Sequence, residues 1–171
     1  AEATRHGAVE TPVEGEVYAN FLRAHRGEFG GIIVCLPNFG DENGAVAALK
    51  EANVPIWIQA YPDDLDKMGP AQRRDSFCGK ISIMDVFRQV GVKFTTLKPH
   101  TVRPGSQAFR RNIDEFDRIC QVVNGIKGMV VGAVGARTTP FKTVRIDEVA
   151  LQRHGITVET FDMSDIFLRM K

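Results

Sequence analysis

The chain has 171 residues, 43% of them hydrophobic, with Lys plus Arg 22 against Asp plus Glu 21. That length holds one α/β domain, or one domain and part of another, and the apolar fraction excludes a disordered chain. A net charge of +1 gives no electrostatic case for nucleic acid or an anionic membrane as the main partner.

Apolar runs of strand length alternate with helical runs. The spacing predicts a helix over 14–26, with Val17, Phe21, Leu22 and His25 on one face. Residues 31–36 read as a strand, and their continuous apolarity predicts burial on both faces. Asp41 is placed to cap a helix over 42–52. A strand over 54–60 and a helix over 80–90 follow; Gly91 stops that helix. The run 92–97 reads as the next strand, and a long helix over 106–124 ends at Gly125. Strand 129–134, helix 143–153, strand 156–162 and a short helix from Ser164 complete the alternation. The expected fold class is therefore α/β: a Rossmann-like parallel sheet with helices on both faces. The chain opens on a helix, without the strand that begins such a unit, and stops about a turn into its last helix. The pattern so reads as a segment of a longer protein, a first domain plus the start of a second. Residues 124–128 are a candidate junction between domains, and equally a simple loop.

No apolar run approaches the roughly 18 residues that span a bilayer, and the polar start at Ala1–Glu10 is not a secretory signal. Three widely spaced cysteines suit a reducing cytoplasm better than a disulfide framework, with Cys35 and Cys120 read as buried thiols.

Three polar loops directly follow strand runs: Leu36–Glu42, Tyr61–Gly79 and Gly135–Phe141. In open parallel sheets ligands collect outside the carboxyl ends of the strands. Asp63, Asp64, Asp66 and Asp75 lie within one long loop; their carboxylates suit Mg²⁺ or Mn²⁺, but caps and solvated turns account for such clusters more often. Phe39, between Asn38 and Gly40, is placed either to stack on a sugar face or to pack under its loop. Asp41 reads as a helix cap that can also meet ligand hydroxyls. Arg137, Thr138 and Lys142 are candidates for binding hydroxyls or a phosphate, with a surface ion pair as the competing reading. Gly132 and Gly135 do not complete a dinucleotide fingerprint. Arg73-Arg74 reads as solvated surface. His6, His25, His100 and His154 show no metal-ligand spacing, and only His100, at a strand end, is a crevice candidate. The residues themselves thus reach a ligand-binding α/β unit with no self-sufficient catalytic set.

Longer motifs go further. Gly7-Ala8-Val9-Glu10-Thr11, Leu36-Pro37-Asn38-Phe39-Gly40-Asp41-Glu42, Gln59-Ala60-Tyr61-Pro62-Asp63-Asp64-Leu65-Asp66, Arg74-Asp75-Ser76-Phe77-Cys78-Gly79-Lys80 and Gly132-Ala133-Val134-Gly135-Ala136-Arg137 resemble those of bacterial L-fucose isomerase-like proteins. The resemblance covers essentially the whole chain. It implies a cytoplasmic, homo-oligomeric aldose–ketose isomerase that uses Mn²⁺ or a similar divalent ion and moves a proton through an enediol. It also implies that residues 1–128 are most of the amino-terminal domain and 129–171 the start of the second, with the metal ligands outside this chain. Under it, Asn38, Phe39, Asp41, Arg137 and Thr138 face a monosaccharide substrate, in a site completed by a neighbouring subunit. The rival reading is a non-catalytic sugar-binding or sensing module of the periplasmic-binding-protein type. A receiver-like phosphoacceptor needs paired acids where Pro37-Asn38 stands, and is set aside.

Overall fold

The computed structural model describes residues 4, 7–135 and 146–170. The chain divides into two compact units, Ala1–Gln121 and Val122–Lys171.

In the first unit, α1 (Pro12–Ala24) begins behind Thr11, whose hydroxyl accepts from the Glu14 N–H. Pro12 at the first helical position sacrifices no hydrogen bond there. Strand β1 (Ile32–Leu36) leads to α2 (Glu42–Leu49) and β2 (Ile56–Ala60), and β1 pairs β2 in parallel, Ile32 opposite Ile56 and Leu36 opposite Ala60. Helix α3 spans Ser76–Gln89. Its buried residues, Ser76, Gly79, Lys80, Ile83 and Phe87, fall three or four apart on one face, so the helix presents a single stripe to the sheet. Leu22, Ala45, Ala48, Leu49, Ile83 and Phe87 pack with Leu36, Ile56 and Ile58, which places α1, α2 and α3 around one core.

A second cluster is formed by Trp57, Leu97, Phe116 and Cys120. Trp57 stacks at 5.5 Å from Phe109 and 5.9 Å from Phe116, ring centre to ring centre. Ile56 and Ile58 lie in the first cluster and Trp57 in the second, and alternate strand residues point to opposite faces. Helix α4 (Gln107–Ile126) therefore covers the face opposite to α2 and α3. The sheet is parallel with helices on both faces, as expected for the α/β class.

Several details depart from the expectation. β1 is not buried on both faces: Ile33 and Cys35 are exposed, because α4 covers Trp57 of β2 and leaves the same face of β1 open. Cys35 is thus no buried thiol, whereas Cys120 is. The segment 92–97 forms no strand. It meets β2 only at Thr95, opposite Trp57, and the chain returns to β2 at Thr101, opposite Ala60. Pro99, between the two bridges, has no N–H with which to continue the ladder. α3 begins four residues earlier than residue 80. Gly125 does not end α4, which runs to Ile126; the turn comes at Gly128, with φ 76°.

In the second unit, β3 (Val130–Val134) pairs in parallel with β4 (Thr157–Phe161), Val130 opposite Thr157. Helix α5 (Glu148–Arg153) is capped by Asp147 and α6 (Met163–Arg169) by Asp162. The Asp162 carboxyl is lowered from its usual value, first by the Ser164 hydroxyl and then by the Ser164 N–H that it accepts. Ile156 is buried between α5 and β4 in sequence. Among the described residues no helix is long and apolar enough to cross a membrane.

Candidate functional site

An open cleft of about 850 Å³ lies along β1 and around the carboxyl ends of β1 and β2. Its size is that of a small-molecule site. Residues 7–10 and Tyr18 bound it alongside β1. Asn38, Phe39 and Asp41 line it from the loop after β1, and Tyr61, Arg74 and Asp75 from the loop after β2.

The first loop is held in place by short-range constraints. Asp41 caps α2 by accepting the Gly44 N–H through Oδ2. Its other carboxylate oxygen has no partner among the described residues. Gly40 takes φ 86°, and a Cβ there would come within 2.9 Å of Leu36 Cδ2. Phe39 lines the cleft and is 40% exposed. Replacing Asp41 by Ala is expected to cost about 1 kcal/mol of stability through the lost cap. Urea unfolding of the two proteins checks this, and an unchanged midpoint would contradict the capping role.

Tertiary contacts fix the second loop. Asp63 Oδ1 accepts the N–H groups of Arg74 (2.7 Å) and Asp75 (3.2 Å), which closes the loop on itself. Asp75, left-handed at φ 51°, pairs with Arg73 Nε at 2.7 Å. Asp64 pairs with Arg103. These acids are spent on backbone amides and guanidinium groups, and among the described residues no three His, Cys, Asp or Glu side chains converge as a metal site would require. Asp63, Asp64 and Asp75 therefore form a loop clasp, and the residues here do not fit a divalent ion.

Arg74 was not legible from the sequence as a cleft residue; Arg73-Arg74 has the look of solvated surface. In the structure Arg74 Nη1 donates to the Pro37 carbonyl at 3.3 Å and its guanidinium lies 6.0 Å from the Tyr61 ring centre. The side chain thus bridges the loops after β1 and β2. Only the fold, which puts the two strand ends side by side, reveals it.

Below the loops, Lys80 is buried at 1% exposure, and its Nζ donates to the His100 carbonyl at 2.9 Å. Burial pushes its ammonium pKa down from 10.5 to about 8. His100 itself is exposed, with its ring 6.3 Å from Phe77, and does not line the cleft. His25 is structural: its Nδ1 meets the Phe21 carbonyl at 2.9 Å. Arg137, Thr138 and Lys142 lie outside the described residues. So the structure brings together Asn38, Phe39 and Asp41, and adds Tyr61 and Arg74 to them.

No curated protein matches the chain significantly. Residues 1–127 match the N-terminal domain of fucose/sulfoquinovose isomerases, and they contain every element that lines the cleft. A match over that much of the sequence, on a parallel α/β unit with its cleft at the strand ends, settles the relationship: the chain belongs to the fucose/sulfoquinovose isomerase family.

Proposed function

We propose that this chain is the substrate-facing part of a metal-dependent aldose–ketose sugar isomerase. The observation that carries the reading is the cleft at the ends of β1 and β2, within the domain that matches the sugar isomerase family. The chemistry of its wall suits a polyol. Phe39 offers an aromatic face to the C–H side of a sugar, and Asn38 and the free oxygen of Asp41 offer a donor and acceptors to its hydroxyls. Such groups bind and orient an open-chain sugar. We assign Arg137 and Thr138 to contact with the sugar from their place in the sequence motif after β3, which resembles that of fucose isomerase-like proteins. The Mn²⁺ or similar divalent ion is held by ligands outside this chain, and the protein works in the cytoplasm as a homo-oligomer whose neighbouring subunits complete the site. The reaction passes through an enediol.

The test uses the full-length protein and a panel of deoxy-sugars and pentoses. Ketose formation is expected, lost on chelation with EDTA and restored by Mn²⁺. In Phe39→Ala, loss of ring stacking is expected to raise KM about fivefold, since one aromatic contact contributes roughly 1 kcal/mol. Absence of turnover with every sugar, in the presence of divalent metal, would remove the isomerase reading in favour of simple sugar binding.

A further inference from the structure

The cleft holds one guanidinium whose hydrogen-bonding capacity is largely unspent. Arg73 is committed to Asp75 at 2.7 Å. Arg74 makes a single side-chain hydrogen bond, the 3.3 Å contact with the Pro37 carbonyl, among the described residues. Its nearest acid, Asp64, is 4.0 Å away and already engaged by Arg103. A guanidinium carries five N–H donors in a rigid plane. Most of those on Arg74 have no acceptor among the described residues, yet the group lines the cleft, beside the ring of Tyr61 and the carbonyl that precedes Asn38.

That arrangement is poor value as a structural device. The ties that close the loop run through the Arg74 backbone N–H to Asp63, not through the side chain. A partly exposed ion pair at 4.0 Å contributes little to stability. What the side chain does have is direction: the Pro37 carbonyl and the Tyr61 ring hold the fork at the cleft wall, so little freedom remains to be lost when an acceptor arrives.

We propose that Arg74 is a ligand-contact residue of this site, donating paired hydrogen bonds to two adjacent oxygens of a bound open-chain sugar. The inference rests on the sugar reading above and deepens it. The planar fork spans two neighbouring acceptors, which a lysine ammonium does not. Arg74 therefore reads the relative configuration of adjacent hydroxyls, while Phe39 reads the apolar face.

The experiment is calorimetric titration of the full-length protein with open-chain alditols, namely deoxyhexitols, hexitols and pentitols, which bind without isomerising. The best-binding alditol is expected to lose at least about tenfold in affinity in Arg74→Met and nearly as much in Arg74→Lys. Thermal midpoints should stay within about 2 °C of the parent, because the loop clasp is a backbone one. For any aldose turned over, KM should rise in the same proportion, with kcat changed less than about threefold. Wild-type affinity in Arg74→Met, full recovery in Arg74→Lys, or no alditol binding by the parent protein would each overturn the proposal. Aldose turnover indifferent to Arg74 would overturn it and leave the isomerase reading standing. Arg74-dependent alditol binding without turnover of any aldose would uphold it and remove the isomerase reading.

Discussion

Gly79→Ala is expected to destabilise the protein by about 3 kcal/mol and to displace the Phe39 loop. Gly79 sits in the first turn of α3, directly against the backbone of Phe39. A Cβ at this position would lie 2.7 Å from Phe39 Cα, and closer still to the Phe39 carbonyl carbon and oxygen. Backbone cannot swing aside as the tip of a side chain can. α3 cannot retreat either, since Ile83 and Phe87 on the same face are fixed in the core at 1% and 0% exposure. The loop is held from its other end by the Asp41 cap. One of the two elements must shift, and both bear on the cleft. For a unit of this size the thermal midpoint should fall by roughly 10 °C. Gly125→Ala gives the contrast: it lies within α4 with nothing within 4 Å of the new Cβ, so it should be neutral or stabilise by up to about 1 kcal/mol. Unfolding curves of both variants check this. A Gly79→Ala protein as stable as the parent would mean that α3 and the Phe39 loop do not meet as described.

The second large effect is a pH dependence carried by Lys80. Its folded-state pKa, about 8, lies below the ordinary 10.5 because burial disfavours the ammonium form. Between those values the unfolded chain holds a proton that the folded chain has released. Stability therefore rises as pH climbs from about 8 to about 10.5, by about 3 kcal/mol in total. Below pH 8 the lysine is charged in both states, and the penalty is constant. The burial of Lys80 at 1% exposure leaves no solvent to screen that cost. Other groups titrate in the same window; the Cys120 thiol, raised first by burial and then by Asp117, contributes with the opposite sign. The clean measurement is thus the difference between the parent and Lys80→Met in urea unfolding from pH 7 to pH 10.5. That difference should grow in the parent's favour by about 3 kcal/mol across the window. A flat difference would mean that the amine is solvated in the folded protein.

Much of the frame was legible because it is written in local patterns. The capping of α2 by Asp41 follows from an acid placed just before an amphipathic run, and the structure has the Asp41 carboxylate on the Gly44 N–H. Helix and strand alternation foretold the parallel pairing of β1 with β2 and of β3 with β4. The failures have physical causes of another kind. A continuous apolar run predicts two buried faces, but Ile33 and Cys35 are exposed, since burial depends on which helix lies across the sheet and not on the strand itself. Residues 92–97 have strand composition, yet whether they join the ladder depends on the path through Pro99 to Thr101. The early start of α3 was hidden because Ser76, Gly79 and Lys80 are not apolar, although they share its buried face.

The sequence by itself determined the α/β class, the alternation of most of its elements and, through long motifs, the family. Those properties depend on neighbours a few residues apart or on runs of residue identity. Only the tertiary structure decided what the loop residues do. It turned Asp63, Asp64 and Asp75 into a clasp through Arg74 and Asp75 amides, Arg73 and Arg103. It brought Arg74 onto the Pro37 carbonyl, 37 positions away in the chain. A charge on a loop has no meaning until its counter-charges are placed, and in this protein the parallel pairing of β1 with β2 places them.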